Sequence, residues 1–137
     1  MSNAIELLLN ANNESFERPS KIVEIPRLSK VLGKKFELKC KSLTMGKTNA
    51  LRMQCANQKT GEVDIPKLQV KTLIEGVFEP EGGTFFFKNK DLHKKFQVPN
   101  AEEFMNKLLL SGEVDHLFEI ITDLGEFNED ATEEIKN

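Results

Sequence analysis

Four side chains stand out for chemistry: His93, His116, Cys40 and Cys55. A metal centre needs two or three ligands that converge on one point and are held by further hydrogen bonds. The two histidines and two isolated cysteines show no such ligand spacing. His116 sits beside Asp115 and near Glu113 and Glu119, and both histidines read as surface residues among charges. A cysteine nucleophile needs a base and a positive environment. Lys39 and Lys41 flank Cys40, but in an extended strand they point to the opposite face. Cys40 and Cys55 therefore read as small buried apolar groups in a reducing compartment. No GxGxxG, P-loop, HExxH or GxSxG pattern occurs, and Gly82-Gly83 lacks the Lys and Ser/Thr of a phosphate loop. The expectation is no catalytic residue, no cofactor, no metal and no enzyme.

The elements that hold these residues can be taken from the apolar pattern. Ala4–Leu9 (AIELLL) makes one or two helical turns with Ile5, Leu8 and Leu9 on one side, followed by a polar, turn-rich linker to Pro19. Lys21–Leu28 reads as a strand with Val23 and Ile25 on one face, with Pro26 marking an edge or a strand end. Residues 29–33 read as a turn. In Lys35–Leu43 the apolar residues Phe36, Leu38 and Cys40 alternate with Glu37, Lys39 and Lys41, the clearest strand of the chain. The two strands are expected to form an antiparallel hairpin lying on helices. Thr44 is a candidate N-cap for a helix over 45–57, and Pro66 can open a second helix that points Leu68, Val70, Leu73, Ile74 and Val77 at the core. Leu92 and Phe96 mark a short helical turn over 91–96. Asn100 with Glu103 reads as a capping box for a helix bearing Phe104, Met105, Leu108 and Leu109. After Ser111-Gly112, the residues Val114, Leu117, Phe118, Ile121 and Leu124 form one apolar stripe, with Gly125 as a candidate C′ residue. The fold class is α+β, a mostly helical body with a small antiparallel hairpin or sheet near 21–43. The organisation is a helix and linker over 1–19, one domain over 20–127 and an acidic tail over 128–137.

Tryptophan and tyrosine are absent while phenylalanine occurs 10 times, so the aromatic surface lacks the amphipathic rings typical of sugar sites and of many interfaces. The formal charge of −3 hides a division: residues 1–60 carry 11 Lys/Arg against 5 Asp/Glu, and residues 61–137 carry 8 against 17. Such asymmetry serves head-to-tail self-association or two differently charged partners. The basic stretch Lys30–Lys41 is too small a patch for nucleic acid, and its lysines read as the wet face of a strand. No apolar run is long enough for a membrane span, and the N-terminus lacks the basic region of a signal peptide.

Two segments could dock a partner. Phe85, Phe86 and Phe87 follow a flexible Gly82-Gly83 turn, and side chains alternate in an extended chain. At least one ring should therefore be exposed or at an interface, unless both faces are covered. The segment is either a plug for the core edge or a docking patch. Ile5, Leu8 and Leu9 form the second.

FELKCKSLT (Phe36–Thr44), the EG-V-P pattern of Glu75, Gly76, Val77 and Pro80, and the stretch Asp91–Phe127 occur in an order that resembles the XkdN-like tail assembly chaperones of phages and prophages with long tails. In that last stretch Val98, Glu102, Glu103, Lys107, Leu108, Leu109, Leu110, Gly112, Glu113, Leu124, Gly125 and Phe127 carry the likeness. Ser111 stands where a proline is expected, Gly82–Phe87 reads as an insertion, and Glu126 separates Gly125 from Phe127. The resemblance implies a non-enzymatic protein of the bacterial host cytoplasm that binds the tape measure protein, helps recruit tail tube subunits and is absent from the mature virion. Phe85, Phe86, Phe87, Ile5, Leu8 and Leu9 are the expected partner surface, with homo-oligomerisation compatible and neither nucleic acid nor membrane implied. The alternatives are a structural virion component such as a tail-terminator or connector subunit, and a small nucleic-acid-binding or regulatory module.

Overall fold

In the computed structural model, residues 3–126 are described, so Phe127 and the acidic tail over 128–137 lie outside the described residues. The chain opens with helix α1 (Ala4–Leu9), whose first turn is capped by the Asn3 side chain accepting from Glu6 N–H at 2.8 Å. A short 3₁₀ turn, Asn13–Phe16, follows. The linker ends where Arg18 Nη1 donates to Ser42 O at 2.9 Å and Ser42 N–H donates to Pro19 O at 3.0 Å.

Strand β1 (Ser20–Glu24) is shorter than the sequence suggests. The expected strand to Leu28 and turn over 29–33 are replaced by helix α2 (Pro26–Leu32), which ends at Gly33 with φ 72°. Pro26 is the reason. Its fixed φ suits the first turn of a helix, where its missing N–H is not needed, and Leu28 is buried beneath that turn. Strand β2 (Glu37–Lys41) keeps the expected alternation: Leu38 and Cys40 are buried while their charged neighbours are half-buried. It pairs antiparallel with β1, as expected, in the register Val23↔Leu38, although α2 rather than a tight turn joins the two strands. A two-residue strand β3 (Val77–Phe78) pairs with the other side of β2, in the register Cys40↔Val77, so β1 is an edge strand.

The helical body begins with α3 (Met45–Cys55), whose N-terminus is capped by Thr44 Oγ1 accepting from Lys47 N–H. Helix α4 (Ile65–Gly76) is capped by Asp64, with Pro66 in its first turn. Gly76 sits where a side chain has no room. A Cβ there would lie 3.0 Å from Ile121 Cδ1 and 3.2 Å from Lys41 O, so the glycine permits the close approach of helix α7 and strand β2. Helices α5 (Lys90–Lys95), α6 (Ala101–Leu108) and α7 (Ser111–Gly125) complete the body. Asn100 Oδ1 accepts from Glu103 N–H at 2.9 Å, as the capping pattern predicts. Gly125 is the last helical residue rather than a left-handed C′ residue, and Glu126 is the cap.

Leu38, Cys40, Leu73, Val77, Phe87, Phe104, Met105 and Leu117 form the centre of the core, each 1% exposed or less. Arg27 ties α2 to the α6–α7 junction. Its guanidinium donates to both carboxylate oxygens of Glu113, at 2.8 and 3.0 Å, and to Leu108 O at 2.7 Å. Glu113 in turn accepts from Leu110 N–H and so caps α7.

Candidate partner-docking surface

The groups examined for chemistry come to rest in structural places. Among the described residues no group of three or more His, Cys, Asp or Glu could hold a metal ion. His93 is not a surface residue as its charged neighbours suggest. It is buried, with Nε2 2.6 Å from Phe87 O, and its ring lies 5.8 Å from Phe104. A buried backbone carbonyl needs a partner, and the imidazole is that partner. His116 is exposed. Cys40 and Cys55 are both buried and unbridged. Burial pushes the Cys40 thiol up to about 12 against a weaker opposing pull from Lys21, so it stays protonated and unreactive at neutral pH.

The three phenylalanines part company. The turn at Gly82 and Gly83, with φ 83° and 66°, returns the chain so that Phe85 bridges to Phe78. Phe86 N–H then donates to Val77 O at 3.1 Å. Alternation sends Phe86 inward, 6.0 Å from the Phe36 ring and 5.6 Å from the Phe104 ring. Phe87 is fully buried beside it. Neither has surface to offer a partner, because the chain turns into α5 and covers both, and the expectation of a three-ring patch narrows to Phe85. That ring is 39% exposed and packs on Phe78 at 4.8 Å, with Lys88 Nζ 4.0 Å from its centroid. Lys88 and Lys47 both reach Glu75, at 2.6 and 3.2 Å. Burial pushes the Glu75 carboxyl up, but the two lysines outweigh it and hold the group below its usual range. Arg18, Leu43 and Thr44 complete a shallow cleft here of about 360 Å³.

Helix α1 is the most exposed apolar element. Ile5, Leu7, Leu8 and Leu9 are 61–78% exposed, and the helix buries no residue at all. Sequence reasoning identified Ile5, Leu8 and Leu9 but passed over Leu7 and the nearby exposed Phe16. It also missed a second cleft of about 360 Å³ between α3, α4 and α7. Leu43, Leu51, Leu68, Phe118 and Ile121 line it, with Arg52 and Glu126 among its polar lining. The hint in the sequence is that Leu51 and Cys55, four residues apart, share one face of α3, as Leu68 does on α4. They form a small buried cluster apart from the main core. Among the described residues no helix is long and apolar enough to cross a membrane.

The architecture has a counterpart among solved structures. The crystal structure of the protein yqbn matches with a TM-score of 0.56 and 19% identity, covering 80% of this chain and 87% of that one, a likeness of fold. A search of the curated proteins gives no match. The family model described as phage XkdN-like tail assembly chaperone protein matches residues 5–137, nearly the whole chain, including α1 and the helices around both clefts. The chain therefore belongs to the XkdN-like family of phage tail assembly chaperones.

Proposed function

We propose that this chain binds the tape measure protein in the host cytoplasm, covers its apolar helices while the tail tube is assembled around it, and leaves before the particle is complete. A tail assembly chaperone is a non-catalytic role, and the side chains considered for chemistry are buried or isolated. The observation that carries the reading is α1. Four exposed apolar side chains, Ile5, Leu7, Leu8 and Leu9, in a helix that buries no residue are a cost in water unless another chain covers them. Ile5, Leu8 and Leu9, joined by Leu7, would lie along an apolar helix of the client, as short amphipathic helices do in grooves and on helical partners. Phe85 adds an aromatic contact, and its flanking lysines favour clients with acidic residues beside the apolar ones.

Size-exclusion chromatography of a mixture of the purified chain and the tape measure protein encoded with it tests this. One complex is expected, and Leu8→Glu should disperse it. Two separate peaks under all salt conditions would refute the binding.

A further inference from the structure

The cleft between α3, α4 and α7 meets the chain's own continuation at one residue. Glu126, the last described residue, belongs to its lining, and Phe127 follows directly in the sequence. We propose that this cleft seats the chain's own C-terminal segment, residues 127–137, with the Phe127 ring on its floor and the acids behind it against Arg52. The lining suits one aromatic anchor. Leu51, Leu68 and Ile121 are buried and make an apolar floor, whereas the polar residues Asn49, Arg52 and Glu126 stand exposed around it. An apolar centre inside a polar rim is the usual setting of a single aromatic contact. Size agrees. A closed cavity of about 150 Å³ holds a benzene ring, so a cleft of about 360 Å³ takes one or two groups of that size. The four apolar side chains of α1 are too many for it.

Connectivity commits the cleft to this segment. The end of α7 is held against the end of β2, where a Cβ on Gly125 would lie 3.5 Å from Ser42 Cβ. Glu126 then leaves the helix with φ −89° and ψ 148°. Successive Cα atoms are about 3.8 Å apart, so Phe127 starts within one residue of the lining and no linker has to be ordered to bring it there. Helix α1 has the whole linker between itself and the Arg18–Ser42 anchor, and its apolar side chains are exposed. Charge points the same way. Residues 127–137 carry Glu129, Asp130, Glu133 and Glu134 against Lys136. Helix α3, one wall of the cleft, has no acid, and with Lys47 turned to Glu75 in the neighbouring cleft, Arg52 is the cation that faces the segment. Phe127 on the floor would cover the small cluster of Leu51, Cys55 and Leu68. The contact is internal to one chain and is independent of any client.

Nuclear Overhauser contacts in the full 15.6 kDa chain, with Phe rings and Leu and Ile methyls labelled, test the proposal. The Phe127 ring should touch the methyls of Leu51, Leu68 and Ile121, and those contacts should vanish in Phe127→Ala. The same variant should melt about 3–6 °C lower, as partial loss of a buried ring does, and Phe127→Leu should recover most of the loss. Arg52→Glu, which sets an acid against Glu129 and Asp130, should weaken the ring contacts; Arg52 is exposed, and unchanged far-ultraviolet circular dichroism will show that the variants fold. Absence of ring contacts in the parent chain overturns the proposal, as does a melting temperature that Phe127→Ala leaves unchanged. Contacts from the Leu8 methyls to Leu51 and Leu68 overturn it too, because they would mean that the chain's own α1 fills the cleft. No client is present, so the tape measure reading stands or falls on its own complex.

Discussion

Truncating Phe85, Phe86 and Phe87 to alanine one at a time separates core from surface within three consecutive identical residues. Phe87 is fully buried and Phe86 is 5% exposed, and each ring packs on Phe104, at 5.9 and 5.6 Å. Removing such a ring costs about 3–5 kcal/mol, the lost transfer energy plus the cavity left behind. A domain of this kind has roughly 5–15 kcal/mol of total stability, so either change removes a large share of it. At about 3 °C per kcal/mol, the melting temperature should fall by about 10 °C or more. Phe85 loses only its contact with Phe78 and the Lys88 ammonium over its ring. Those are worth about 1–2 kcal/mol together at a half-exposed site. The chain has no Trp or Tyr to report by fluorescence, so urea unfolding followed by circular dichroism is the suitable assay. Equal midpoints for Phe85→Ala and Phe87→Ala, or a Phe87→Ala midpoint close to that of the parent chain, would refute this account of the segment.

Other perturbations follow from the same geometry. Leu8→Glu should leave the unfolding midpoint within about 0.5 kcal/mol of the parent, since the site is exposed; a large loss would mean α1 packs on its own domain. A thiol reagent at pH 8 should leave Cys40 unlabelled in the native chain and label it in urea, as read by peptide mass mapping, and rapid native labelling would contradict its burial. The Arg27 hydrogen bond holds Glu113 below its ordinary value of 4.5, with burial opposing and the Leu110 N–H assisting. A carboxyl depressed in the folded state contributes stability above its unfolded value and loses it as pH falls through the folded one. Stability should therefore drop below pH 4.5, Glu113→Gln should flatten part of that acid limb, and an unchanged limb would rule out this contribution.

Much of the scaffold is legible in the chain because local signals and tertiary packing agree. The alternation through Phe36, Leu38 and Cys40 gives β2, and Thr44, Pro66 and Asn100 begin helices where their chemistry says they should. The apolar stripe of α7 places Leu117 and Ile121 in the core. Pro26 misleads because two signals conflict there. Lys-Ile-Val-Glu-Ile ahead of it reads as strand, and proline serves equally as a strand end or a helix start. The burial of His93 depends on an unpaired carbonyl of Phe87 that no spacing reveals. The exposure of α1 and the cleft between α3, α4 and α7 depend on how distant helices assemble, and periodicity says only that an apolar stripe exists. Two residues that carried the family likeness have structural work: Gly76 admits Ile121, and Glu113 holds Arg27 while capping α7. The likeness thus marks the scaffold, and the proposed docking surface lies outside it, in α1.

The most direct test of the chaperone reading is the soluble fraction of the tape measure protein when it is expressed with and without this chain. The account predicts a soluble tape measure only when this chain is present, and its return to the pellet when Leu8→Glu replaces the parent. A tape measure that is equally soluble alone, or equally soluble with the variant, would contradict it.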